Sequence, residues 1–185
     1  DVSYGMPVSL DSIKSSESTV IGGAIQFLEP TPGAPNNYNL VGVVEKLSFS
    51  QSHGLYEESF DLTISTKTSD AVLRYTTDGS VPSEASRKVD ENGVIKINKT
   101  TVLRVVGFKK NFKPTKVITQ TYLFPKDIVR QSADGLPPAG FPYDWGFNYV
   151  DYGMDQRVVN DQRYKEKIFD GLKSIPSYSL VMDLD

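Results

Sequence analysis

The stretch AVLRYTTDGSVPS, residues 71–83, decides the fold class of this chain. Its first half alternates apolar and polar residues, with Leu73 and Tyr75 on one face, which is typical of a half-buried strand. Its second half contains Asp78-Gly79, a turn signal, because Asp and Gly tolerate the left-handed backbone of a tight reversal. A calcium ion at Asp78 is the alternative, but one carboxylate beside hydroxyls is a weak ligand set. We therefore interpret the stretch as a strand followed by a turn.

Five further segments between residues 43 and 124 have the same character. They are rich in β-branched and aromatic residues, and several alternate apolar with polar, as in Phe60, Leu62 and Ile64. The segments are VVEKLSFS (43–50), SFDLTIST (59–66), GVIKINK (93–99), TVLRVVGF (101–108) and KVITQTYLF (116–124). Turn-forming residues separate them. The spacing predicts an all-β sandwich of six or seven strands.

Composition and charge exclude several classes of function. The 185 residues carry a formal net charge of −3, so the chain lacks the basic excess that nucleic-acid binding needs. No apolar run approaches the roughly 20 residues that span a bilayer, so we expect no membrane insertion. Cysteine is absent, which excludes disulfides and thiol chemistry. The chain begins at Asp1 without a signal-peptide pattern, and we expect it to be a piece of a longer protein.

The flanks of the predicted sandwich are less regular. VIGGAIQFL (20–28) predicts a strand, and the Pro-rich EPTPGAPNNYN (29–39) predicts an extended linker. The residues after Pro125 predict an ordered irregular segment. Near the end, one short helix is predicted with Asn160 as its N-cap, Pro176 as its stop and Tyr164, Ile168, Leu172 and Ile175 along one face. The closing SYSLVMDLD (177–185) predicts a strand.

Several motifs resemble a known family. RYTTDGSVPS (74–83), FDLTIST (60–66), TTVLRVVGFKKNFKPT (100–115) and TYLF (121–124) resemble the C-terminal domain of chitobiase and β-hexosaminidase, also described as a fibronectin type III-associated domain. The resemblance covers about 80 residues. It implies an immunoglobulin- or fibronectin-like β-sandwich over residues 43–125 that acts as an accessory module.

The flanks resemble two other domains of large surface proteins from planctomycete-like bacteria. DVSYGM (1–6) and FLEPTPGAPN (27–36) resemble the end of a lamin-tail-like domain. DIVRQS (127–132), PPAGFP (137–142), DYGMDQRVVND (151–161) and LKSIPSYSLVMDLD (172–185) resemble the start of a CotH-like atypical kinase domain. The resemblance implies domains at 1–36, 43–125 and 127–185 and a secreted or cell-surface location. It carries over no catalytic residue, because no nucleotide-binding segment lies within the chain.

Six aromatic residues crowd into twelve positions of the segment that follows the predicted sandwich. They are Phe141, Tyr143, Trp145, Phe147, Tyr149 and Tyr152. Their rings would pin an irregular segment onto the sandwich by burying large areas. The alternative is a carbohydrate-binding surface made by Tyr143, Trp145 and Tyr149, with polysaccharide as the partner.

Other side chains offer weaker sites. Asp144, Asp151 and Asp155 could gather round a calcium ion, although Asp151 and Asp155 also suit the start of a helix. His53 is the only histidine and cannot build a transition-metal site or a triad without partners, so we interpret it as a turn residue. A basic run, Lys109, Lys110, Lys113 and Lys116, suits a solvated turn that guards a strand edge, or an anionic polymer.

The sequence as a whole predicts a non-catalytic structural spacer. Its partners would be neighbouring domains of the same polypeptide or surface assembly, and it would need no cofactor apart from the calcium alternative. Two other functions stay open: a carbohydrate-binding module centred on Trp145, and a fragment leading into a CotH-like kinase.

Overall fold

The computed structural model describes residues 3–5, 25–27, 39–40, 42–131 and 134–178. The strands are, in chain order, β1 (Ser3–Gly5), β2 (Ile25–Phe27), β3 (Asn39–Leu40), β4 (Gly42–Val43), β5 (Ser48–Phe49), β6 (Gly54–Leu55), β7 (Phe60–Ser65), β8 (Val72–Thr76), β9 (Arg87–Lys88), β10 (Val94–Ile97), β11 (Thr101–Phe108), β12 (Phe112–Lys113), β13 (Ile118–Leu123), β14 (Asp144–Trp145) and β15 (Asn148–Tyr149). The helices are α1 (Pro125–Ile128), α2 (Gln156–Val159) and α3 (Ile168–Ser174). The fold is all-β, as predicted.

Two sheets form the sandwich. One has the strand order β10-β7-β5, and the other has the order β6-β13-β11-β8-β9. Within the larger sheet, β11 pairs antiparallel with both β8 and β13, so Val105 lies opposite Tyr75 on one side and Ile118 on the other. The edge strand β6 pairs parallel with β13. The predicted strands at 59–66, 71–77, 93–99, 101–108 and 116–124 are confirmed within a residue or two of their ends.

The core lies between these two sheets. Leu62 and Ile64 of β7 are buried while their neighbours in the strand are exposed, as the predicted alternation requires. Three aromatic rings close one end of the core: Tyr122 and Phe124 are fully buried, and Phe60 packs edge-on against Tyr122 with ring centroids 5.5 Å apart. The opening stretch therefore forms one wall of this core, through Leu73 and Tyr75.

The predicted strand at 43–50 is two short strands instead of one. β4 pairs parallel with β12, and β5 pairs antiparallel with β7 in the smaller sheet. Between them, the Glu45 backbone donates its N–H to the Thr68 hydroxyl and accepts a hydrogen bond from the Thr66 hydroxyl. Because Val44 and Leu47 are both buried, the segment follows a three-residue spacing there and not an alternation. Within this stretch the chain therefore changes its pairing partner from β12 to β7.

The turns follow the predicted chemistry. Gly79 has a φ of +83°, and the Asp78 carboxylate accepts hydrogen bonds from the backbone and the hydroxyl of Ser80. The hydrogen bond from the Ser80 hydroxyl is the main cause that lowers the pKa of Asp78. His53 lies in a bend and bonds the Gln120 side chain. Lys109 begins a tight turn, because its carbonyl accepts from the N–H of Phe112.

The N-terminal strands make a separate sheet. β2 pairs antiparallel with both β1 and β3. Of the predicted linker at 29–39, only Asn39 is among the described residues, and it pairs with Phe27. The predicted strand at 20–28 is represented by β2, and its two glycines, Gly22 and Gly23, lie outside the described residues.

The predicted helix that begins after Asn160 is wrong in its start. Asn160 caps the C-terminus of α2, whose N-cap is Asp155, and a run of turns separates α2 from α3. Both Asp155 and Asp161 accept a hydrogen bond from a backbone N–H two residues further on, so each closes a local turn. Along the predicted face, Tyr164 and Ile175 are exposed while Ile168 and Leu172 are half-buried. Of the predicted closing strand, only Ser177 and Tyr178 are described, and neither lies in a strand.

No helix in the described parts of the chain has the length and apolar character of a membrane span.

Candidate functional site

The most distinctive surface is a β-hairpin in the segment after the sandwich. β14 and β15 pair antiparallel, with Trp145 opposite Asn148 and Asp144 opposite Tyr149. Gly146 and Phe147 form the two-residue turn, and Gly146 has a φ of +69°, as the first position of such a turn requires. We call residues 143–149 the aromatic hairpin.

Four rings of the aromatic hairpin face solvent. The exposed fraction is 55% for Tyr143, 59% for Trp145, 104% for Phe147 and 80% for Tyr149. Tyr143 and Tyr149 contact each other edge to face, with ring centroids 5.5 Å apart. The interpretation that these rings pin the segment onto the sandwich is therefore wrong for these four side chains.

The base of the hairpin does pack. Phe141 and Tyr152 are half-buried and contact each other edge to face at 5.8 Å, and the Tyr152 hydroxyl donates to the Pro142 carbonyl at 3.0 Å. Burial raises the pKa of Tyr152, so this hydroxyl keeps its proton through neutral pH. The N–H of Val150 donates to the carbonyl of Tyr143 and closes the ladder. Of the six aromatic residues predicted to pack, Phe141 and Tyr152 do pack, and they hold the hairpin in place.

Gly140 joins this segment to the sandwich. Its φ is +86°, and a Cβ placed on it would lie 3.1 Å from the Thr77 carbonyl oxygen and 3.2 Å from Cβ of Val102. Val102 belongs to β11, and its side chain is 7% exposed although it points away from the core between the sheets. Such close approach of backbone to sheet needs a residue without a side chain. The central strand β11 is therefore covered on its outer face by the segment that leads to the hairpin.

The predicted calcium ligands are not brought together. Asp144 is exposed on the hairpin, Asp151 accepts from the N–H of Gly153 at 2.7 Å, and Asp155 caps α2. The hydrogen bond from the Arg157 side chain lowers the pKa of Asp155 and occupies its oxygens. The described residues contain no group of three acidic or histidine side chains placed to hold a metal ion. The calcium alternative stays a prediction without a cluster to support it.

A concave feature separate from the aromatic hairpin lies beside the turns that follow β7 and β9. An open cleft of about 510 Å³ lies between the turn after β7 and the turn after β9, and its lining includes Thr66, Asp70, Lys88 and Asn92. It shares no residue with the aromatic hairpin. The carboxylate of Asp90, which also lines it, is engaged by the N–H of Val94 at 2.6 Å. Its groups therefore serve the turns around it.

The sequence places Phe147 in the aromatic cluster but not among the predicted carbohydrate contacts, and it does not single out Asn148. Phe147 is the most exposed of the rings, and Asn148 lies beside Trp145 in the ladder. The signal was present in the order Trp145-Gly146-Phe147-Asn148, because a glycine between strand-forming aromatics is typical of a two-residue hairpin turn. The hairpin was not predicted because its strands are too short to show a long alternation of apolar and polar residues.

Comparison with known proteins gives one match. No curated protein and no solved structure matches the chain. The flanks lie outside the one match that is found, so the lamin-tail-like and CotH-like resemblances of residues 1–36 and 127–185 stay predictions. Residues 51–119 match the family model of the chitobiase/beta-hexosaminidase C-terminal domain, which is a non-catalytic immunoglobulin-like module.

Proposed function

We propose that the chain is a non-catalytic structural module that fixes the position of the segment following its sandwich, within a large secreted or cell-surface bacterial protein. The family match over residues 51–119 supports the non-catalytic character. The resemblances of the flanks support the setting, with neighbouring domains as partners. Domain limits at 1–36, 43–125 and 127–185 belong to this proposal.

One observation carries the proposal: the segment after the sandwich is attached to it at three separate places. Asp127 accepts from the N–H of Thr100 at 2.6 Å, and Gly140 lies against β11. Lys173 forms an ion pair with Glu57. Within the segment itself, Gln156 donates to the carbonyl of Val129 at 3.0 Å and joins α2 to the end of α1.

These contacts tie together residues that are far apart in sequence. Lys173 and Glu57 are separated by 116 positions, and Gln156 and Val129 by 27. A flexible tether makes no such contacts, because ordering it would cost entropy without return. A module that spaces and orients its neighbours needs this kind of attachment.

The absence of cysteine allows a direct test. Two spin labels at Lys96→Cys in β10 and Glu166→Cys before α3 lie on exposed positions of the two regions. Double electron–electron resonance should give one narrow distance distribution at neutral pH. Adding Gly140→Ala should broaden it, whereas Gly146→Ala, with nothing within 4 Å of the new Cβ, should not. A broad distance distribution in the doubly labelled parent protein would contradict the proposal.

A second candidate function is favoured by a separate observation. The four exposed rings of the aromatic hairpin support a carbohydrate-binding module, because monomeric proteins rarely leave several large rings together in solvent without use. The two candidates are compatible, since the sandwich would then present the hairpin to its ligand. The binding experiment is described with the ligand class below.

A further inference from the structure

We infer that the aromatic hairpin binds a neutral polysaccharide, with Trp145 and Phe147 as its principal contacts and Asn148, beside Trp145, as a hydrogen-bonding partner of sugar hydroxyls. This inference rests on the second candidate function and gives that site its ligand class. Three observations carry it: the arrangement of the rings, the polar residues beside them, and the charge of the segment.

The rings are available and their backbone is fixed. Phe147 lies in the two-residue turn and Trp145 is the last residue of the strand before it, and the Tyr152 hydroxyl fixes the chain at Pro142. Trp and Tyr also have few rotatable bonds, so little entropy is lost when they are covered. The hairpin therefore presents a preformed aromatic surface that is not a deep cavity.

Polar groups alternate with the rings. Asn148 is exposed and lies opposite Trp145 across the ladder, on the same face, whereas the exposed Asp144 lies opposite Tyr149 on the other face. A carboxylate accepts hydrogen bonds, and an amide both donates and accepts. Sugars need this combination, because a pyranose ring has apolar C–H faces and a rim of hydroxyls. A purely apolar partner surface would leave both groups without water or a partner.

The negative charge of the segment favours neutral glycans over the other ligands that bind to aromatic rings. Residues 131–156 contain no Lys or Arg and four Asp: Asp134, Asp144, Asp151 and Asp155. Nucleic acids, acidic polysaccharides and anionic lipid surfaces all require positive charge for binding. An organic cation would suit the charge, but it is bound in a cage of rings, whereas Phe147 is fully exposed at the tip.

The chain carries its own reporter for the test, because Trp145 is its only tryptophan. We would measure adsorption of the 185-residue chain to insoluble cellulose, chitin and xylan, and to polygalacturonate and alginate as acidic polymers. Soluble oligosaccharides of the retained polymer would then be titrated against Trp145 fluorescence. We expect retention by at least one neutral polymer and none by the acidic ones, with a shift of the emission to shorter wavelength on binding.

Three variants assign the binding to the hairpin. Trp145→Ala and Phe147→Ala should each weaken retention by about tenfold or more, the range of a central aromatic contact. Tyr178→Ala is the matched control, because Tyr178 is 90% exposed but lies outside the hairpin, and its retention should be unchanged. Circular dichroism checks that all three variants keep the sandwich.

Each contrary result has a distinct meaning. If Trp145→Ala and Phe147→Ala are retained as strongly as the parent protein, this site is overturned, and the carbohydrate binds elsewhere on the chain. Retention by no neutral polymer would overturn both the site and the second candidate function. Retention by acidic polymers, or a fluorescence response to tetramethylammonium in place of sugars, would overturn the ligand class. None of these results affects the distance measurement that tests the structural module.

Discussion

The sandwich and the segment that follows it use their aromatic residues in opposite ways. In the sandwich, Tyr122 and Phe124 are fully buried and close the core. In residues 134–178, no described side chain is fully buried, and the aromatic hairpin exposes four rings. The stability of the molecule therefore resides in the first region and its available binding surface in the second. Variants should separate the two properties.

The largest expected effect comes from the sandwich core. Leu103→Ala removes a fully buried side chain from the central strand β11, and such truncations destabilise proteins by about 2–5 kcal/mol because a cavity remains. Urea unfolding followed by circular dichroism measures the change. Val81→Ala is the control: its parent side chain is 57% exposed, and the change should stay below about 0.5 kcal/mol. Equal unfolding midpoints for the two variants would contradict the described core.

The next effect tests the joint between the two regions. Gly140→Ala and Gly146→Ala both place a side chain at positive φ, which costs about 1–2 kcal/mol in each case. Only Gly140 also lies against the sandwich, so its variant should lose at least about 1 kcal/mol more, through overpacking. Thermal unfolding gives the comparison. If Gly146→Ala is the more damaging variant, the segment does not pack on β11 as described.

Sequence reasoning succeeded where local pattern and tertiary burial agree. Leu62 and Ile64 alternate with exposed neighbours because β7 has one face on the core, and this periodicity can be read directly. The burial of both faces of β11 could not be read in this way. Val102 and Val106 are buried on the outer face, and part of the cover comes from Gly140, 38 positions after Val102 in the chain.

The sequence identifies the aromatic cluster but not the hairpin that it forms, and the binding role of these residues stays a prediction. The crowding of aromatics around Trp145 is visible in the sequence, but their exposure depends on how Gly140 and Tyr152 place the hairpin. The helix start was misplaced for a related reason: Asp155 and Asp161 each close a local turn, and these side-chain hydrogen bonds interrupt the apparent helical spacing.

A smaller effect concerns the hydroxyl of Tyr122, which donates to the carbonyl of Gln51 at 3.1 Å. Tyr122→Phe should cost about 1 kcal/mol at pH 7, the net value of one such hydrogen bond. Burial is the main cause that raises the pKa of Tyr122 above its ordinary value of 10.0. The protonated tyrosine therefore adds stability below about pH 10 that is lost as pH rises, because the unfolded chain ionises first.

Urea midpoints at pH 7 and above pH 10 measure this dependence. The parent protein should lose stability over that interval more steeply than Tyr122→Phe. Tyr178→Phe alters an exposed ring and should follow the parent at both values. Parallel curves for the parent and Tyr122→Phe would show that Tyr122 does not supply the alkaline sensitivity.

The smallest effect tests the most remote attachment of the second region, the ion pair between Glu57 and Lys173. The hydrogen bond that Lys173 donates to Glu57 lowers the pKa of Glu57 below its ordinary value of 4.5, and the same bond raises the pKa of Lys173 above its ordinary value of 10.5. The ion pair therefore contributes its full stabilisation between about pH 4.5 and pH 10.5, where both side chains are charged in the folded and the unfolded chain. It is lost as pH falls through the lowered pKa of Glu57, and as pH rises through the raised pKa of Lys173.

The labels at Lys96→Cys and Glu166→Cys report this change without depending on global unfolding. Below the lowered pKa of Glu57, the distance distribution should broaden slightly, because Asp127 and Gly140 still hold the segment. Glu57→Gln should show that broadening already at pH 7, and Glu58→Gln, which alters the exposed neighbouring carboxylate, should not. Added salt should act in the direction of acid, since both partners are partly exposed. A large broadening in Glu57→Gln would mean that one surface ion pair, and not the glycine contact, holds the second region to the first.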